Sequence, residues 1–275
     1  MRVSLLKKFF YYGILIILFF GIIIPLIWLV FLTFKTDQEF YLSPLSWPKK
    51  WTFDNYITGA NQSHIFRSFR NSLILTISEM ALTMFLTIPA SFALARFKFK
   101  GNMFLYTMFS LGVIIPAFTA IYPVFIIMNR LGLVNQYLGV IIPNAAFAIS
   151  TSLILMVGHF KTFPRELEEA AFIDGANIWK ILTQIFIPVC VPILATTATF
   201  QFLGGWNDFV FPFILLNRNA LKPLTVIMSV FRGQYATNYP AMAATVTLAI
   251  IPVLIAYSLL QKYVVEGMTA GAVKG

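Results

Sequence analysis

Six apolar runs, each long enough to cross a bilayer as a helix, constrain this chain more than any other feature. They cover about 11–32, 71–95, 103–128, 138–159, 189–215 and 241–261. A spanning helix needs roughly 20 apolar residues. Lipid offers no hydrogen bonds to the backbone, so such runs are expected to be helices. The composition agrees: 59% of the 275 residues are hydrophobic, 11% are charged, and mean hydropathy is +0.82. The expected fold is therefore all-α, an integral membrane bundle of six transmembrane helices.

The net charge of +10 is explained by topology, because the basic residues flank the apolar runs. Nucleic-acid binding is not expected. With six spans both termini share a side. Placing them in the cytoplasm puts Arg2, Lys7, Lys8, Arg96, Lys98, Lys100, Lys161, Arg165, Lys180, Lys262 and Lys274 inside, 11 of the 20 basic residues. The short "RFKFKG" loop at 96–101 marks the inner side best, since short loops count most. The first run, from Phe9 to Phe34, exceeds a signal-peptide core of about 7–15 residues and reads as a retained span. The single cysteine, Cys190, has no internal disulfide partner and reads as a small buried hydrophobe. Trp47 and Trp51, in the polar segment 35–70, suit a membrane interface.

Prolines puncture nearly every run and are expected to kink the helices. In the fifth, Gly204-Gly205 followed by Trp206, Asn207 and Asp208 suggests a break, with the chain turning before Pro212; each glycine costs a helix about 1 kcal/mol relative to alanine. Asn207 and Asp208 either cap a helix end or line a polar path with Gln201 and Trp206, whose side chains suit a neutral, hydroxyl-rich solute. Asn144, after Pro143, either satisfies a freed carbonyl or lines such a path. Glu79 is expected near the outer end of its span, meeting water or a partner helix, with proton coupling as the other option. His64 and His159 show no metal spacing, and no metal or catalytic site is expected.

Between the fourth and fifth runs lies "HFKTFPRELEEAAFIDGANIWKILTQIFIP", His159 to Pro188. Pro164 suits the entry to a helix. Glu166, Glu168 and Glu169 crowd its first turn, where the helix dipole favours acids. Ala170 and Ala171 leave a low surface that another protein could approach. Gly175 can take the left-handed conformation that ends a helix. A second helix is expected from about Ala176 to Ile185, stopping before Pro188. Local physics thus gives a helix, a sharp turn and a second helix lying across the membrane face.

The spacing Glu169-Ala170-Ala171, Gly175, Ile185 and Ile187-Pro188 resembles the EAA loop of ABC importer permeases. That family usually has leucine before the final proline, where this chain has Ile187. "GGWNDFVFPFILL" from Gly204 and the ending "QKYVVEGMTAGAVKG" from Gln261 resemble the carbohydrate-uptake, maltose-type branch. The resemblance implies one permease domain over 1–275, with a core at about 71–262, a cytoplasmic coupling loop at 161–188 and a tail at 263–275. It implies coupling through Glu169, Ala170, Ala171, Asp174, Gly175 and Pro188, and contact with an ATPase through Thr269, Gly271 and Lys274. The tail, rich in glycine and alanine, is expected to be flexible until bound. A second permease subunit, a cytoplasmic ATPase dimer, an extracytoplasmic solute-binding protein and a sugar are the implied partners, in a prokaryotic plasma membrane. The chain has no G-x-x-x-x-G-K-[ST] phosphate loop, so ATP and Mg2+ belong to the ATPase and no cofactor is expected here. A gradient-driven secondary carrier is the alternative; it would need repeated halves or coupling carboxylates near the midplane.

Overall fold

A computed structural model describes residues 5–62, 64–227 and 238–272. The described residues are helical, joined by turns, with no strand among them. Three helices are long and apolar enough to span a membrane: α1 (Leu5–Leu32), α4 (Ile65–Arg96) and α7 (Tyr137–Phe160). Between them lie the short α2 (Asp37–Leu42) and α3 (Asp54–Gln62). Two bent pairs bring the total of candidate spans to five.

The first pair is Asn102–Ile114, which begins with α5 (Asn102–Leu111), and Ala117–Arg130, which ends with α6 (Ile121–Arg130); it bends by 93°. Pro116 sits in the gap, and Ile115 before it is extended, as the ring of a following proline requires. The second pair is α9 (Ile178–Val189) and α10 (Val191–Asn207), bent by 79° at Cys190. The expected break before Pro212 does occur, at Asp208-Phe209 and not at Gly204-Gly205. Both glycines are helical, and α10 ends at Asp208 before α11 (Val210–Leu215). The short α12 (Leu224–Ile227) follows, and α13 (Tyr239–Ala272) covers the sixth run; its apolar part is Tyr239–Ile255.

The chain divides into two compact units. The first comprises residues 1–66 and 228–251. Its polar heart is Lys35, 1% exposed, whose Nζ donates to the carbonyls of Ser43 (2.7 Å) and Pro44 (3.2 Å). Burying an ammonium is tolerable only with such partners. Asn55 ties the same segment together by donating to the carbonyls of Thr33 and Lys35. Phe31 packs on Trp47 and Trp51, so these tryptophans belong to a local aromatic cluster. Within this unit α1 leaves its apolar window unburied, as a lipid-facing or partner-facing helix would.

The second unit comprises residues 67–227 and 252–275 and contains the sites below. α4, α7 and α10 meet there through small polar residues. Ser72, Thr76, Thr83, Thr87 and Ser91 recur down the buried face of α4, all at most 3% exposed. Thr196, Thr197 and Thr199 of α10 are at most 2% exposed, and each donates its hydroxyl to the carbonyl four residues back. Small residues of this kind let helices approach closely inside a membrane.

Candidate functional site

The helical loop after α7 forms as expected and is anchored more firmly than its sequence suggests. α8 (Glu166–Ile173) carries Glu166, Glu168 and Glu169 in its first turn. It ends in a Schellman motif: Gly175 N–H donates to the Phe172 carbonyl (3.0 Å) and Ala176 N–H to the Ala171 carbonyl (2.9 Å). Gly175 is left-handed, with φ +79°, and no atom lies within 4 Å of where a Cβ would stand. The glycine is therefore required by backbone conformation and not by crowding. Asn177 then caps α9, its Oδ1 accepting from Lys180 N–H (2.9 Å).

α9 does not stop before Pro188. It runs to Val189, because its middle, Ile181–Phe186, widens into a π-helical turn. A π-turn changes which carbonyls are paired, and a proline, which lacks an N–H, follows it without ending the helix. Pro188 thus lies inside the helix, and the chain bends at Cys190 instead.

Phe186 is fully buried, with the rings of Phe92 (4.8 Å), Phe160 (4.7 Å) and Phe163 (4.7 Å) around it. Those rings come from α4, α7 and the loop entry. Arg96, the last residue of α4, forms an ion pair with Glu168 at 2.6 Å, the two side chains 3% and 12% exposed. Its Nη1 also donates to the carbonyls of Phe160 (3.2 Å) and Phe163 (3.1 Å). A cation suits those carbonyls, which lie at and just beyond the negative end of α7. One guanidinium thus joins the ends of two spans to the first turn of α8.

The alanines divide between the two faces of α8. Ala171 is 7% exposed and packs inward with Ile181, Leu182 and Phe186. The expectation of a shared alanine docking face is corrected on this point: adjacent residues stand about 100° apart on a helix. Ala170, Glu169 and Asp174 are exposed. The outward face is more apolar than expected, with Phe172, Ile173 and Trp179 exposed at 50%, 87% and 67%. Sequence reasoning missed the roles of Arg96 and Phe186. An arginine directly ending an apolar span, and an acid in the next loop, were the available signals.

The residues expected along a polar path come together only in part. Asn144 Nδ2 donates to Asp208 Oδ2 at 2.7 Å. Asn144 therefore serves the Asp208 carboxylate and not a freed carbonyl. Glu79 is 6% exposed, so it faces the inside of this unit and not water at a span end. A Cβ on Gly205 would stand 2.8 Å from Glu79 Oε2 and 3.4 Å from Thr76 Cα. Gly205 thus lets α10 approach α4, which replaces the helix-breaking role expected of it.

Asp208 is also a helix-end cap, its Oδ1 accepting from Val210 N–H. Gln201 is withdrawn into the packing and donates to Ser152 Oγ (2.7 Å). Trp206 is 4% exposed, stacked on Phe202 and edge-on to Phe69; its ring fills the core and offers no open stacking surface. Asn207 is exposed and bonds back to the Leu203 carbonyl. Thr269 and Gly271 lie in the helical backbone of α13, which runs to Ala272; Lys274 lies outside the described residues.

Residues 86–270 match the family described as "Binding-protein-dependent transport system inner membrane component". The chain belongs to that family. This permease component is 33% identical over 251 residues to the probable ABC transporter permease protein YurM of Bacillus subtilis, covering 91% of this chain and 83% of the relative. It is 32% identical to the trehalose/maltose transport system permease protein MalG of Thermococcus litoralis, covering 91% of each. Its fold is similar to a chain in the crystal structure of a bacterial ABC transporter that imports the acidic polysaccharide alginate. There the TM-score is 0.81 at 23% identity, over 96% of this chain and 99% of that one. The family match includes the whole α8–α9 loop of the permease component and its Arg96 anchor, whereas Glu79 lies before it.

Proposed function

We propose that this chain is the permease subunit of an ATP-driven oligosaccharide importer and that α8–α9 receives the stroke of a cytoplasmic ATPase. The single observation carrying the reading is the two-sided character of that loop. Its outer face is exposed and apolar around Phe172 and Ile173, while its inner face is fixed to the spans by Phe186 and Arg96. An exposed apolar patch rimmed by Glu169 and Asp174 suits a protein partner, and its rigid footing suits transmission of force.

On this reading residues 1–275 act as one multi-pass permease domain with both termini cytoplasmic. A second, related permease forms the other half of the path, and a solute-binding protein delivers the sugar from outside. The ATPase dimer holds ATP and Mg2+. Its closure pulls the coupling residues Glu169, Ala170, Asp174 and Gly175, and the anchored spans follow into the outward-facing state. The tail residues Thr269, Gly271 and Lys274 add a second contact to the ATPase. The Asn144–Asp208–Glu79 group is the polar lining nearest the sugar, with Asn207 at its exposed edge.

The sugar class rests on the transport systems named for the relatives, together with a polar group that lacks any fixed cation among the described residues. The test is reconstitution in vesicles. Labelled oligosaccharide should accumulate only with ATPase, ATP and binding protein all present, and an Ile173→Asp variant should lose the ATPase on purification. Uptake by vesicles that lack the ATPase would overturn the proposal.

A further inference from the structure

The ends of α4 and α7 and the start of α5 line an open cavity of about 540 Å³, and none of its lining residues is acidic. Four cations line it: Arg96, Lys98, Lys161 and Arg165. Arg96 spends part of its charge on Glu168. Lys161 sits over the Tyr106 ring at 5.1 Å. Among the described residues, Lys98, Lys161 and Arg165 have no acidic partner.

Two further observations point to an anion here. α5 begins at this cavity, and its first turn has no side-chain cap, because its N-cap is Gly101 with φ +93°. Uncapped N–H groups and the helix dipole both favour a negative ligand. Arg96 forms part of the wall with its side chain 3% exposed, and its Nη2 has no hydrogen-bond partner. The cavity is therefore an open cationic cleft, with the buried Arg96 guanidinium behind its wall.

Its rim decides the chemical class. Met103 and Phe104 line it and are 73% and 70% exposed. They begin the next bent helix pair, directly after α4 ends at Arg96. On the proposed topology, which puts this end of α4 on the cytoplasmic side, a cationic pocket with an apolar lip matches a lipid that carries a phosphate below and acyl chains above. A soluble acidic protein segment would meet that apolar lip without any gain.

We infer that this cavity is a phosphate-binding site, separate from the coupling face, that holds the headgroup of an anionic phospholipid of the inner leaflet. The lipid would sit between α4, α5 and the entry to α8, beside the Arg96 anchor.

The assembled transporter can be purified from membranes and placed in phosphatidylcholine nanodiscs with or without phosphatidylglycerol. Retained lipid is then counted by native mass spectrometry. Wild type should keep phosphatidylglycerol through detergent washing. Lys98→Gln/Lys161→Gln should keep it at least about tenfold less well, since each surface cation contributes measurably to anionic-lipid affinity. Phosphatidylcholine retention should not change. If the double variant fails to assemble, Lys98→Gln alone should still show a drop of about fivefold by the same rule.

Inorganic phosphate separates the two sources of the group. Phosphate that displaces phosphatidylglycerol from wild type, yet is not itself retained, supports the lipid. Phosphate retained in phosphatidylcholine discs with no preference for phosphatidylglycerol overturns it. Equal phosphatidylglycerol retention in wild type and variant overturns the inference, as does loss of the ATPase with lipid retention intact. None of these lipid counts depends on which solute is transported.

Discussion

The α8–α9 loop and the α4–α7–α10 packing solve opposite problems with the same kinds of residue. In the loop, polar and aromatic groups reach across elements. Arg96 of α4 holds Glu168 of α8 and two carbonyls at the end of α7, and Phe186 of α9 sits among rings from three segments. In the membrane packing several hydroxyls turn back on their own helix. Thr87 bonds the Thr83 carbonyl, and Thr196, Thr197 and Thr199 do the same within α10. The hydroxyls of Thr76, Thr83 and Ser91 have no hydrogen-bond partner. Helices satisfied internally are weakly tied to their neighbours, since interhelical bonds in membranes contribute only about 0.6 kcal/mol on average. The comparison locates the ties: the loop is fixed to the ends of α4 and α7, α10 is held to α7 by Gln201–Ser152 and Asn144–Asp208, and the unpartnered hydroxyls of Thr76, Thr83 and Ser91 leave α4 less firmly tied.

The largest effect should come from the aromatic anchor. Phe186→Ala removes a fully buried ring and should cost about 3–5 kcal/mol, read as a large fall in thermal stability in detergent. A fall no larger than for an exposed ring such as Phe85 would show that the loop is not anchored there. Arg96→Met strands Glu168 in a nearly buried site and should cost about 3–5 kcal/mol. Adding Glu168→Met should recover much of that loss, and a double variant no better than the single one would remove the ion pair from the account.

Gly175→Asp comes next, at roughly 1–2 kcal/mol for a non-glycine residue in the left-handed region. The chain should still insert and fold, but solute uptake should fall far more than ATP hydrolysis. Normal uptake would disprove the role of the turn. The smallest effect should be Thr76→Val. Replacing a hydroxyl that has no partner removes a desolvation penalty, so stability should stay within about 0.5 kcal/mol or rise. A clear loss would mean that Thr76 ties α4 to its neighbour.

How much of this was legible in the sequence follows from the range of each signal. The loop's helix, its glycine turn and its acidic first turn are local, so Glu166 to Gly175 read correctly. The apolar runs also read correctly as helices. Bends were less legible. Pro116 breaks its span by 93°, yet Pro89 and Pro143 remain inside unbroken helices, because the outcome depends on neighbours that pair the freed carbonyls. Gly205 looked like a helix breaker, but its role is set by Glu79 and Thr76, 126 and 129 positions away in the chain. Ala171 and Trp206 were misplaced for the same reason, since burial depends on what packs opposite. The Arg96–Glu168 pair spans 72 positions, and no periodicity reveals it.

The central claim is that the loop moves with the spans as one body. Spin labels can be placed at Ile173 on α8 and Phe85 on α4, which are 87% and 76% exposed, in the assembled transporter. Their distance distribution is then measured without nucleotide and with ATP trapped on the partner ATPase. The account predicts the same distance in both states, while a pair joining α4 to α10 changes. A shift between positions 173 and 85 that leaves the α4–α10 distance unchanged would contradict it.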